Sequence, residues 1–99
     1  MTIFAVEYVY AAGTEASRDE HRPGHRAFLS SLAPESGDVS LVASGPYGDG
    51  SGALLILKAG SEQELAATLA RDPFNARHLV AGLRITAWSP VTGELAHHA

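Results

Sequence analysis

Two short segments carry the side chains best suited to chemistry. Arg22-Pro23-Gly24-His25-Arg26-Ala27-Phe28-Leu29 places a histidine three and four residues before an apolar pair, on the inward stripe of a helix. Arg71-Asp72-Pro73-Phe74 places a carboxylate at a helix break. Imidazole is the side chain that changes charge close to neutral pH. A carboxylate accepting from one ring nitrogen fixes the tautomer and leaves the other nitrogen to take or give a proton. Each residue also has a plainer role. A histidine on such a stripe either packs as a structural residue with its ring satisfied or lines a pocket between helix and sheet. Aspartate before proline is an ordinary helix opening, the carboxylate capping free N–H groups and proline taking the first helical position. The two roles of Asp72 are compatible, because one oxygen can cap while the other faces an imidazole.

The remaining candidates are weaker. His21 and His25 have the spacing of two helical metal ligands, but Pro23 lies between them, no third ligand is signalled and the chain has no cysteine. No metal and no cofactor are expected. The Gly48-Asp49-Gly50-Ser51-Gly52 stretch lies between two strands and feeds no helix, so it is not a phosphate loop. No Gly-x-Ser-x-Gly elbow surrounds any serine. Arg22 is suited to polarise a carbonyl or hold a carboxylate or phenolate. With Ser44, at a strand end, and Tyr8, it makes up the expected substrate-binding set.

The elements that must position these residues follow from periodicity. Thr2 to Tyr10 is β-branched and aromatic, a strand with Phe4, Val6 and Tyr8 on one face. Ala11 to Asp19 reads as a polar loop. Ser17 to Glu20 has capping-box spacing, yet Pro23 suits a first helical turn, so the helix is expected to start at Pro23 or after a short turn. Phe28, Leu29 and Leu32 continue it to Ala33, and Pro34 and Gly37 end it. Val39 to Ser44 and Ala53 to Lys58 form a hairpin around Tyr47 to Gly52. Ser61 to Glu64 is a second capping box, opening a helix with Leu65, Ala66 and Leu69 inward. Asp72-Pro73 starts a short helix through about His78, and Leu83 to Trp88 is the last strand. The order β-α-β-β-α-β is the ferredoxin-like split βαβ arrangement: an α+β fold with a four-stranded antiparallel sheet and helices on one face. Alternation predicts an open face carrying Val6, Tyr8, Ile56 and Trp88, an apolar patch that a homodimer would bury.

Composition bounds the rest. The chain has 99 residues, enough for one domain; residues 1–92 are expected to form it and 93–99 a flexible tail. A net charge of −4 with scattered basic residues argues against nucleic acid. No apolar run suits a membrane span, and the N-terminus begins as a strand rather than a signal peptide. These features, and the absence of cysteine, fit a cytoplasmic protein whose partner is a small organic molecule.

Taken in order, these residues resemble the YCII-related (YciI-like) family. The resemblance rests on Ile3-Phe4-Ala5-Val6-Glu7-Tyr8, Arg22-x-x-His25 with Phe28-Leu29, and Ser44-Gly45-Pro46. It continues through Gly52-Ala53-Leu54-Leu55-Ile56, Asp72-Pro73-Phe74 and Trp88-Ser89-Pro90. It implies a dimeric α+β barrel type of fold and an active site pairing His25 with Asp72. It also implies a cofactor-free lyase or isomerase chemistry, such as dehydrochlorination of a chlorinated hydroquinone. One departure stands out: relatives usually carry glycine where this chain has His78. The alternative is a non-catalytic small-ligand-binding or interaction module of the same fold. A cofactor-free oxygenase is a third reading that no residue here singles out.

Overall fold

The computed structural model describes residues 1–33 and 37–99. The chain runs β1 (Thr2–Tyr10), α1 (Glu15–Ser30), β2 (Ser40–Pro46), β3 (Gly52–Ala59), α2 (Glu62–Leu69), α3 (Pro73–Ala76) and β4 (Val80–Ala87). A 3-10 turn at Ala96–His98 closes it. The four strands form one antiparallel sheet in the order β2-β3-β1-β4, the split βαβ topology expected from the sequence.

Register decides which strand face meets the helices. Phe4, Val6 and Tyr8 lie opposite Leu57, Leu55 and Ala53 on β3. Directly opposed residues of an antiparallel pair share a face. These six join Leu65 and Leu69 of α2 and Leu32 in one buried cluster, against which Phe28 and Leu29 of α1 pack. Val6 and Tyr8 therefore belong to the helix-covered core, not to the open face that alternation alone predicts. Both faces of β1 are apolar enough that its own sequence does not choose between them. The open face carries Ile3, Ala5 and Val9 with Leu54, Ile56 and Trp88. Ile3 and Ile56 are covered, while Val9, Leu54 and Trp88 are 47%, 40% and 43% exposed.

Helix α1 departs most from expectation. It runs unbroken from Glu15, two turns before Pro23, with Pro23 in its interior. The Ser17–Glu20 capping box is not used. The N-cap is Thr14, whose hydroxyl donates to the Ala11 carbonyl at 2.6 Å instead of capping the helix. Proline removes one intrahelical hydrogen bond and crowds the preceding turn, a local cost that the packing of α1 on sheet and α3 outweighs. The helix ends at Ser30, short of Ala33; Pro34, expected to terminate it, lies outside the described residues.

The other elements shift less. Gly45 and Pro46 extend β2 rather than closing it. In α2 the Ser61 hydroxyl accepts from the Glu64 N–H at 3.1 Å, as its capping box predicts. The inward stripe is Leu65, Thr68 and Leu69, and Ala66 is exposed. Gly52 has a steric reason: a Cβ there would lie 1.8 Å from the Tyr8 carbonyl oxygen, so only glycine lets β3 start this close to β1.

His78 follows α3 with φ 59°, the single non-glycine residue at positive φ among the described residues. It takes the left-handed form that ends a helix, and its side chain is exposed rather than turned into a pocket. A β-carbon in that region costs about 1–2 kcal/mol, offset in part by the extra chain entropy that glycine loses on folding. His78→Gly should therefore raise stability by about 1 kcal/mol and the melting temperature by about 4–8 °C. Thermal and urea unfolding check this; an unchanged or lower midpoint would mean that the imidazole makes compensating contacts.

Candidate active site

Three elements converge on the carboxylate of Asp72, which is fully buried. Asp72 is the N-cap of α3, and its Oδ1 accepts from the Phe74 N–H at 3.0 Å. From β1, the Tyr8 hydroxyl donates to Oδ2 at 2.9 Å. From α1, His25 Nδ1 lies 2.9 Å from each oxygen. Every neighbour is a donor and a carboxylate only accepts, so Nδ1 carries the proton and Nε2 holds the free lone pair of the neutral ring. Nε2 has no partner among the described residues and is not sealed from solvent. The imidazole stacks on Phe74, ring centres 4.1 Å apart and planes within 3°. Asp72 thus combines the cap and the histidine contact, the two roles its sequence context left open.

Close approach of α1 to α3 makes the contact possible. A Cβ on Gly24 would come within 3.3 Å of Pro73 Cγ, tighter than side chains ordinarily pack, so glycine beside His25 brings the imidazole down to the cap. Asn75 completes the network. Its amide donates to the Tyr8 hydroxyl at 2.9 Å and to the Leu69 carbonyl at 2.8 Å. Sequence reasoning passed over Asn75, since an asparagine in a short helix gives no signal until its strand partner is known.

A cavity of about 760 Å³ opens beside the ring, walled by α1, the β2–β3 hairpin, Tyr10 and Phe74. His25, Arg22 and Ser44 all line it. The Arg22 guanidinium is committed to an ion pair with Asp19 one helical turn earlier. Tyr8, expected to touch the substrate, does not line the cavity; it is wholly buried and spends its hydroxyl on Asp72. Arg18, within the stretch expected to be a polar loop, reaches the cavity because α1 begins early; its guanidinium lies 4.2 Å over the Tyr10 ring. His21 and His25 share the helix after all, but no group of three or more potential metal ligands occurs among the described residues.

The Tyr8 phenol is held well above its ordinary range, first by burial, then by the charge of Asp72 and the hydrogen bond given to it. The folded state keeps this proton longer than the unfolded chain does. The stability it supports is complete below about pH 10 and is lost as pH rises beyond that toward the folded value. Tyr10 and Tyr47 are shifted the same way, so the alkaline loss is shared. Tyr8→Phe should flatten that loss, and at neutral pH it should cost about 1–3 kcal/mol because Asp72 is left one donor short. Denaturation midpoints from about pH 7 to about pH 11 measure both effects; an alkaline slope equal to wild type would count against the Tyr8 assignment.

Comparison with known proteins agrees with this architecture. The structure is similar to 5-chloro-2-hydroxyhydroquinone dehydrochlorinase (TftG) from Burkholderia phenoliruptrix AC1100, solved with 2,5-dihydroxybenzoquinone. The TM-score is 0.76 and the identity 23%, over 88% of this chain and 93% of that one. It is also similar to Rv0793 from Mycobacterium tuberculosis, with a TM-score of 0.57 and 15% identity over 94% and 97% of the respective chains. At these identities the likeness establishes the fold alone, a ferredoxin-like α+β domain with one four-stranded antiparallel sheet. No curated protein matches the chain in sequence. The YCII-related domain profile matches residues 2–89, nearly the whole length, and the chain therefore belongs to the YCII-related domain family.

Proposed function

We propose that this protein is a small-molecule enzyme of lyase or isomerase type that moves a proton without a cofactor. His25 is its acid/base group and Asp72 the residue that orients it. The observation that carries this reading is the one-sided engagement of the imidazole. Nδ1 is held at 2.9 Å by a buried carboxylate whose other partners are all donors, while Nε2 is free beside a cavity large enough for a small organic molecule. In such an arrangement Nε2 takes a proton from the substrate and the carboxylate stabilises the imidazolium that results. Returning that proton to another atom gives an isomerisation; losing it together with a leaving group gives an elimination. The dehydrochlorinase named for the similar structure is of the second kind. Ser44 and Arg22, on the cavity wall, are the residues proposed to touch the substrate, and Tyr8 supports it from behind Asp72.

The test is turnover of hydroxylated and chlorinated hydroquinones, followed by chloride release and quinone absorbance, alongside binding of 2,5-dihydroxybenzoquinone. Wild type should turn over at least one of them. His25→Ala should lower kcat/KM by about 10²–10⁴-fold, the usual weight of a general acid/base, while still binding the quinone. Asp72→Asn keeps a capping oxygen, so it should fold but lose a large part of the rate. Full activity in His25→Ala would overturn the proposal. Binding without turnover in wild type would favour the non-catalytic ligand-binding module.

We further propose a homodimer through the open sheet face, in a cytoplasmic setting that the lack of cysteine suits. Val9, Leu54 and Trp88 support it, three large apolar side chains exposed on one face. No helix among the described residues is long and apolar enough to cross a membrane, so that face is not part of a helical span. Sedimentation at micromolar concentration should give about twice the 10.4 kDa chain mass, and Leu54→Glu should shift it to the single chain. A wild-type monomer at that concentration would refute the dimer.

A further inference from the structure

The cavity beside His25 has a second polar feature that proton transfer does not use. Arg18 lies on its wall one turn before Arg22. Its Nη1 donates to the Thr14 hydroxyl, its guanidinium carbon sits 4.2 Å above the Tyr10 ring, and its Nε is buried with no hydrogen-bond partner. A buried donor without an acceptor is rare in a settled structure. Among the described residues no carboxylate pairs with Arg18, and the adjacent Asp19 pairs with Arg22. Contacts tie this guanidinium to the imidazole: Arg18 covers Tyr10, Tyr10 meets Phe74 edge-on at 6.0 Å, and Phe74 stacks on His25. Leu29, Ala53 and Leu55 supply apolar wall to the same cavity.

We infer that Arg18 is the anion-binding residue of this pocket, and that its ligand is a small apolar organic anion whose ionised oxygen accepts from the Arg18 guanidinium while the body of the molecule lies against the apolar wall. The inference deepens the proposed function, since it states the charge of the substrate on which His25 acts. A guanidinium held over an aromatic ring is already positioned and partly stripped of water, and a charge-assisted hydrogen bond is stronger there than in bulk solvent. The anion would accept from Nη2, which has no hydrogen-bond partner among the described residues and is not sealed from solvent. With the charged oxygen fixed on Arg18, the group that gives up a proton is presented to Nε2 of His25 in one orientation.

Binding without turnover tests this. The probes are 4-nitrophenolate, at a pH where the phenol is ionised, and 4-nitroanisole, of nearly the same shape but with no ionisable oxygen. Wild type should prefer the phenolate by about tenfold or more, the preference weakening with salt as a charge contact does. Arg18→Met keeps an apolar stem over Tyr10 and removes the orphaned donor, so it should fold as well as wild type, with circular dichroism melting as the check. It should bind the anisole unchanged and lose the phenolate preference. His25→Ala should keep the preference, so failure of the proton-transfer reading leaves this result distinct. Equal binding of the two probes by wild type, no binding of either, or a preference that survives in Arg18→Met would overturn the assignment. So would one that disappears in His25→Ala alone, for the imidazole would then be holding the anion.

Discussion

The buried carboxylate of Asp72 is the constraint on which the site depends. Removing a carboxylate from water costs several kcal/mol unless its oxygens are fully bonded. Here the donors come from three separate elements: the Phe74 N–H of α3, the Tyr8 hydroxyl of β1 and the His25 ring of α1. None can be lost without leaving the carboxylate short of a partner. The first strand, the first helix and α3 are therefore fixed relative to one another by one polar group rather than by apolar contact alone. The small residues serve the same end, with Gly24 letting α1 approach Pro73 and Gly52 letting β3 start against the Tyr8 backbone.

That coupling explains which parts of the structure the sequence discloses. Local rules with a single chemical cause read correctly. Asp72-Pro73-Phe74 caps a helix, Ser61 caps another, and the β-branched run from Thr2 to Tyr10 is a strand. His25 was legible because helical spacing ties it to Phe28 and Leu29. Choices settled by distant partners were not legible. The covered face of β1 follows from its register with β3, which no property of Thr2 to Tyr10 contains. The start of α1 follows from packing that outweighs the penalty at Pro23, where local preference alone would begin the helix.

The second of these matters more for function. A helix begun at Pro23 carries His25 but leaves Arg18 in a loop with no defined direction. The observed helix places Arg18, Arg22, His25 and Leu29 along one side, four, three and four residues apart, and all four line the cavity. The stretch of α1 before Pro23 supplies Glu15, Arg18, Asp19 and Arg22 to the cavity wall. The same extension shows why Arg22, the arginine nearer to His25 in sequence, is not the freer cation: Asp19 is one turn behind it and pairs with it at the surface.

Two arginines one turn apart thus have opposite surroundings, and the physical reason lies in their neighbours rather than in their own chemistry. Arg22 gives its charge to a carboxylate in partial contact with water, an arrangement of small energetic weight. Arg18 lies over an aromatic ring with its Nε buried and without a hydrogen-bond partner. His25 shows the same asymmetry within a single ring, with Nδ1 bound by a buried charge and Nε2 left open. In both residues the protein satisfies one side of a polar group and leaves another without a partner, and both residues line the same cavity. A structural role alone would favour completing each group internally, since an orphaned buried donor lowers stability without return. The incompleteness is intelligible when a ligand supplies the missing acceptor and the missing proton.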